Sequence, residues 1–201
     1  EIIVIDNFST DGTVEVLKNL NYHDIKIIFQ SKNYGVGKSY ETGFNMAKGQ
    51  YVFVQHADLE YDHRVCLEMF ELAEREKLDA IFGSRFKNYL VKGSRWELLK
   101  SRPAYLASFI STYLMNKWYG YYFTDVIGAE FYNTSAIKSI PINSYHTGFK
   151  FEHVSRMCKK GLKIGEINVA YSPRENPREK KIKAYNIINA LWSIIKVRFL
   201  S

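Results

Sequence analysis

The stretch QHADLEYDH, residues 55–63, sets His56, Asp58 and Glu60 at alternate positions. On an extended backbone alternate side chains point the same way, so an imidazole and two carboxylates would share one side. Such a set can hold a divalent cation whose remaining positions go to phosphate oxygens and water. Asp62 suits a helix N-cap, a role that leaves Asp58 and Glu60 unexplained. A second polar stretch, DNFSTDGT at 6–13, follows the apolar run EIIVI and gathers Asp6, Asn7, Ser9, Thr10 and Asp11. A plain turn needs about two such residues, so this is either an over-built turn or a ligand grip. In QSKNYGVGKSYETG, residues 30–43, Gly35 and Gly37 permit tight turns. Lys38 there stands at a helix start, where backbone amides favour an anion. Arg85 in GSRF, residues 83–86, suits either a bidentate grip on phosphate or a surface ion pair.

Apolar runs predict the strands that aim these loops, at 1–5, 25–29, 50–54, 79–82 and 163–169. Helical spacing covers 12–20, 37–47 and 62–76, where Val65, Met69 and Leu72 fall on one face. This alternation predicts an α/β fold, a mostly parallel sheet with helices on both faces. Ligands of such sheets bind beyond the carboxyl ends of the strands, where all four polar loops fall. At 201 residues, 46% apolar and 24% charged, the chain fits one domain with a sizeable core. Cys66 and Cys158 show no metal or redox spacing and read as reduced thiols of a cytoplasmic protein. No signal peptide is visible, and no run of about 18 apolar residues marks a spanning helix.

The net charge is +7, and from Arg174 onward seven Lys/Arg stand against two Glu. A basic end suits an anionic membrane surface or a phosphorylated ligand; no nucleic-acid motif accompanies it. Residues 184–200 predict an apolar helix carrying one polar stripe, Asn186, Asn189, Ser193 and Lys196. Trp192 and Phe199 suit a membrane interface, and a helix at 104–119 ends in further aromatics. The alternative is burial of both helices against the sheet.

Taken in order, five stretches resemble the family 2 glycosyltransferases of the GT-A (Rossmann-like) fold: EIIVIDNFSTDGT, KNYGVGKSYETGFNMAKGQYVFVQHADLEYD, GSRF, TDVIGAEFY and GFKFEHVSRMCKKGLKIGEINVAYSPR. They are most similar to the dolichyl- or polyprenyl-phosphate sugar synthases, over residues 1–198. The resemblance implies a GT-A domain over 1–173, then a basic loop and an amphipathic, interfacial helix over 174–201. It implies inverting transfer of a sugar from a nucleoside-diphosphate sugar to a polyprenyl phosphate, at the cytoplasmic face of a membrane. A glycan acceptor, or a degenerate domain that only binds nucleotide-sugar, are the alternatives. Donor binding falls to Ile5, Asp6, Asn7, Ser9, Asp11, Asn33, Gly37, Lys38 and Ala57. Asn7 stands where the family usually has Asp, so it offers an amide in place of a charge.

HADLE matches the family's Asp-x-Asp motif with His56 in place of the first Asp. His56, Asp58 and Glu60 are therefore the implied ligands of Mg²⁺ or Mn²⁺, and Asp58 is catalytic through that ion. Phosphate binding falls to Arg85, Lys100, Arg174 and Lys180. Asp125 in TDVIGAEFY matches an acidic residue beside the acceptor. It would be a general base toward a hydroxyl, or a positioning group toward a phosphate that is already anionic. The family begins one strand earlier, so residue 1 corresponds to its second strand.

Overall fold

The computed structural model describes residues 1–20, 22–87, 105–145, 148–172 and 185–200, so Lys100, Arg174 and Lys180 lie outside the described residues. The first half follows the predicted alternation: β1 (Ile2–Asp6), α1 (Thr13–Lys18), β2 (Ile25–Phe29), α2 (Val36–Met46), β3 (Tyr51–Val54), α3 (Val65–Glu76) and β4 (Ala80–Ser84). Next come α4 (Tyr105–Tyr119), β5 (Ala129–Asn133), α5 (Thr134–Lys138), α6 (Phe149–Lys160), β6 (Ile164–Asn168) and α7 (Tyr185–Phe199).

β1 and β2 pair in parallel, from Ile2 opposite Ile25 to Asp6 opposite Phe29. A second sheet has the order β3-β5-β4-β6. There β5 runs antiparallel to β3 and to β4, while β4 and β6 are parallel. The α/β architecture is the expected one; the antiparallel strand makes its sheet mixed. β5 is not among the predicted strands because a carboxylate interrupts its apolar run, Ala-Glu-Phe-Tyr-Asn, yet its first four residues are buried.

Alternate residues of β5 serve opposite faces of the sheet. Tyr132 joins Phe82, Tyr40, Phe44, Phe149, Met157 and Ile194 in one core cluster, beneath α2, α4, α6 and α7. Ala129 and Phe131 join Met69, Ala73, Ile81 and Ile167 in the other, beneath α3. Both faces are thus covered, as the strand–helix alternation requires.

The helix α7 is apolar on two sides. Ala190, Ile194 and Val197 are buried, whereas Ile188, Trp192 and Phe199 face outward. Its neighbour α4 buries Met115 with the hydroxyls of Ser108, Ser111 and Thr112, and leaves Leu106, Ile110 and Tyr113 exposed. The two helices meet where Trp118 and Phe199 place their rings 5.6 Å apart. Of the polar stripe, Asn189 and Lys196 are exposed and Ser193 is partly covered. At Gly148, where φ is +95°, a Cβ would come within 2.6 Å of Ser193 Oγ and 3.1 Å of the Asn189 carbonyl oxygen. No described helix is long and apolar enough to cross a membrane.

His153 is 3% exposed, stacked on Phe44 and Phe149, with both ring nitrogens unpartnered. Burial holds its pKa down to about 4, whereas an unfolded chain protonates the ring near about 6.5. Below that higher value the unfolded chain takes up the proton first, so stability falls with pH, by on the order of 3 kcal/mol across the window. The variant His153→Phe is expected to lack this component. Urea-unfolding free energies of the two proteins should run parallel above the window and diverge within it; parallel curves throughout would mean that the folded ring accepts a proton.

Candidate functional site

The first two loops are joined by their own polar side chains. Asp6 is 5% exposed and its Oδ2 accepts the Ser9 N–H at 3.1 Å. Asn7 reaches across, donating from Nδ2 to Asn33 Oδ1 at 3.0 Å and accepting the Tyr34 N–H at 3.1 Å. Asn33 Oδ1 also accepts the Gly35 N–H at 3.0 Å. Asp11 accepts from the Thr13 N–H at 3.2 Å and hydroxyl at 2.7 Å, which opens α1. The surplus polarity of DNFSTDGT therefore builds the turn and ties it to the loop after β2. Between Asn7 and Ser9, Phe8 sits at φ 67° with its side chain half exposed. A non-glycine residue in the left-handed region is uncommon. It sets an aromatic ring at the strand mouth, which spacing alone does not single out.

Three of the residues implied for donor binding have other partners. Ile5 lies within β1 and packs toward α2, where a Cβ on Gly43 would stand 3.3 Å from its Cδ1. Gly37 answers to packing: a Cβ there would lie 2.4 Å from the Ser144 carbonyl oxygen, and its N–H donates to Tyr145 at 3.0 Å. Lys38 already has a counter-charge, with Nζ 2.5 Å from Glu41 and 5.5 Å over the Tyr145 ring.

The loop after β3 is a tight turn, which corrects the extended arrangement expected of His56, Asp58 and Glu60. Leu59 stands at φ 57°, and Asp58 Oδ1 accepts the Glu60 N–H at 3.2 Å. Ala57 is exposed on this turn. His56 turns to a buried network. Its Nε2 is 3.2 Å from Tyr40 Oη and 3.3 Å from Lys150 Nζ. The ammonium of Lys150 also contacts the carboxylate of Glu130, which accepts the hydroxyls of Tyr132 at 2.7 Å and Tyr40 at 3.2 Å. Burial alone would raise the pKa of Glu130; Lys150 and His56 outweigh it and the net shift is downward. The His56 pKa is lowered, first by Lys150 and then by burial.

An imidazole nitrogen facing an ammonium is not directed at a second cation, so Nε2 of His56 is turned away from the expected metal set. Among the described residues no three His, Cys, Asp or Glu side chains converge as ligands. Asp58 and Glu60 remain as hard oxygen donors. Two carboxylates fit Mg²⁺ or Mn²⁺ when phosphate oxygens and water complete the shell. The loop is pinned at its far side: Glu60 accepts the Tyr171 hydroxyl at 3.0 Å, and its carbonyl accepts the Ser172 N–H at 3.0 Å. Tyr61 and Tyr171 form an isolated antiparallel bridge with rings 5.1 Å apart.

Arg85 and Asp125 find each other. Arg85 Nε and Nη2 reach the two Asp125 oxygens at 2.6 and 3.0 Å, with side chains 10% and 0% exposed. Asp125 further accepts from the Ser108 hydroxyl and the Ile127 N–H, each at 3.2 Å. The guanidinium lies against the rings of Phe86, Tyr105 and Tyr171, at 4.9, 5.3 and 5.5 Å. Burial would lower the Arg85 pKa, but the Asp125 carboxylate overrides it and the net shift is upward. Glu166 on β6 accepts the Thr124 and Asp125 N–H groups at 2.8 and 2.9 Å and so fixes the segment. Gly128 lets it approach β4, since a Cβ there would fall 1.6 Å from the Gly83 carbonyl oxygen. Asp125, expected as a base or a positioning group, has the surroundings of the second. Lys150, Glu130, Tyr40 and Tyr171 belong to the site without any local sequence signal, because their partners lie 16 to 111 residues away.

Residues 1–140 match the family model described as Glycosyl transferase family 2. The chain is 25% identical to the low-salt glycan biosynthesis hexosyltransferase Agl6 of Haloferax volcanii, over 87% of this chain and 40% of that protein. It is 33% identical to the dolichol-phosphate mannosyltransferase of Saccharomyces cerevisiae, over 35% of this chain and 27% of that one. The chain thus spans less than half the length of these relatives. Its fold is shared with the glucosyl-3-phosphoglycerate synthase of Mycobacterium tuberculosis, solved with Mn²⁺, UDP-glucose and phosphoglyceric acid. The TM-score is 0.61 at 15% identity, covering 97% of this chain and 67% of that one. With a family model matched across most of its length, the chain belongs to glycosyl transferase family 2.

Proposed function

We propose that the chain transfers a sugar, with inversion, from a nucleoside-diphosphate sugar to a polyprenyl phosphate at a membrane surface, assisted by Mg²⁺ or Mn²⁺. The observation that carries the choice of acceptor is the state of Asp125. A hydroxyl acceptor needs a base to take its proton, and a base must reach it. Asp125 is 0% exposed, with both oxygens engaged by Arg85. A phosphate acceptor arrives already ionised and asks for no such base. Asp125 then positions Arg85, whose aromatic enclosure holds the guanidinium at the carboxyl end of β4.

The donor side is supported by the paired mouths of β1 and β2, where Asn7 and Asn33 hold one another beside Phe8. An amide pair offers both a donor and an acceptor toward a base or ribose. Asp58, with Glu60, would hold the divalent cation, which when bound supplies Lewis-acid stabilisation to the departing diphosphate. The turn at Leu59 and the tie from Glu60 to Tyr171 keep those carboxylates in place. Related proteins carry names that agree, a dolichol-phosphate mannosyltransferase and a synthase solved with Mn²⁺ and UDP-glucose.

A lipid-linked acceptor calls for a surface that meets lipid. The outward faces of α4 and α7 supply Leu106, Ile110, Tyr113, Ile188, Trp192 and Phe199. Lys196 and Arg198 in the last turn of α7 add charge that anionic headgroups attract.

The test is transfer of radiolabel from a panel of nucleotide-sugars, with and without Mn²⁺, into extracted polyprenyl phosphate. Label in the lipid fraction is the expected result; label only in water-soluble products would favour a glycan acceptor, and binding without turnover a non-catalytic domain. Asp58→Asn is expected to lower metal-dependent turnover by about 100-fold or more with an unchanged circular dichroism spectrum. Asp125→Asn leaves Arg85 buried beside a neutral partner and should cost about 3–5 kcal/mol of stability, read from the urea midpoint. A folded, fully stable Asp125→Asn protein whose pH–rate profile alone had changed would restore the general-base reading.

A further inference from the structure

The side chain of Lys150 has three N–H donors and no acceptor. At 3.3 Å from His56 Nε2 it can only donate to that nitrogen, while the Tyr40 hydroxyl, 3.2 Å from the same nitrogen, gives its proton to Glu130; Nε2 is therefore the acceptor of the ammonium. A neutral imidazole that accepts at Nε2 carries its proton on Nδ1. The ammonium is itself fixed from behind by Glu130, which is 3% exposed on β5 and held by the hydroxyls of Tyr132 and Tyr40. Both ends of this pair sit on regular elements, a strand and the first turn of α6, so the geometry does not depend on a loop. A positive charge behind the ring also polarises it and strengthens the opposite N–H as a donor.

Nδ1 has a different standing from the nitrogens of His153. Those two are buried without partners; Nδ1 of His56 is not among such atoms in the described residues. His56 follows the last residue of β3 by two positions and precedes Asp58 by two, where the proposed reaction brings the donor diphosphate.

We propose that His56 donates a hydrogen bond from Nδ1–H to a phosphate oxygen of the donor nucleotide, with Lys150 as the residue that positions it. This rests on the nucleotide-sugar reading above. It changes what the head of the motif does: a neutral donor toward the anion stands where an imidazole ligand of the cation was expected. The donor diphosphate then retains a protein contact of its own when the cation is absent.

The tautomer is read directly from long-range ¹H–¹⁵N spectra of the chain labelled in its histidines. Nδ1 should carry the proton in the wild type and in Lys150→Arg, and the preference should be lost in Lys150→Met. Binding of UDP and GDP is followed by calorimetry with and without Mn²⁺, and Mn²⁺ alone by electron paramagnetic resonance. His56→Ala should leave Mn²⁺ affinity unchanged and weaken metal-free nucleotide binding about tenfold, and His56→Asn should recover part through its amide N–H. A protonated Nε2 in the wild type, unchanged nucleotide affinity in His56→Ala, or a loss of Mn²⁺ affinity there as large as in Asp58→Asn would overturn the inference while leaving the donor reading intact. A wild-type chain that binds neither nucleotide would overturn the donor reading and this inference with it.

Discussion

Two carboxylates that enter the fold with β5 are taken almost wholly out of water, and each must keep a cation beside it. Asp125 is 0% and Glu130 3% exposed. A buried carboxylate without a partner costs several kcal/mol, so the positions of Arg85 and Lys150 are dictated rather than optional. Arg85 comes from the end of β4 and Lys150 from the start of α6. Each pair thereby closes one side of the region beyond the strand ends. The site is shaped by charge neutralisation first and by the ligand second.

This explains why two residues that carry phosphate-binding or catalytic types have structural partners. Arg85 is not a loose surface cation but one wall of an aromatic enclosure, and His56 is the outer member of a network that begins in the core. Asp58 and Glu60 differ from them in being set by a local turn, with Glu60 tied in addition to Tyr171. The two cations are held by buried carboxylates, whereas the two motif carboxylates are held by a turn and by Tyr171.

Much of this was legible in the sequence. The apolar runs before DNFSTDGT, QSKNYGVG, QHADLEYD and GSRF are strands; the first two loops are bonded to each other, and the last two both meet Tyr171. β5 was not legible, because the charge at Glu130 reads as solvent-facing until Lys150, 20 positions later, is brought beside it. The alternate spacing of His56, Asp58 and Glu60 misled for a related reason. Spacing implies a shared side only on an extended backbone, and nothing in Ala57 or Leu59 announces the left-handed turn. Gly37 read as a turn glycine implied in donor binding, but its partner is the backbone of Ser144 and Tyr145, more than 100 positions away. In each case the missing information was a long-range partner, which local pattern does not carry.

The bridge between Tyr61 and Tyr171 couples two parts of the chain 110 positions apart. The stretch leaving β3 and the stretch leaving β6 are seamed together by two tilted rings in contact and by the bond from Tyr171 to Glu60. Grafting one of these segments from a homologue would tear that seam unless its counterpart travelled with it. The two behave as a single heritable cassette, and chimeras of this fold should be cut outside both.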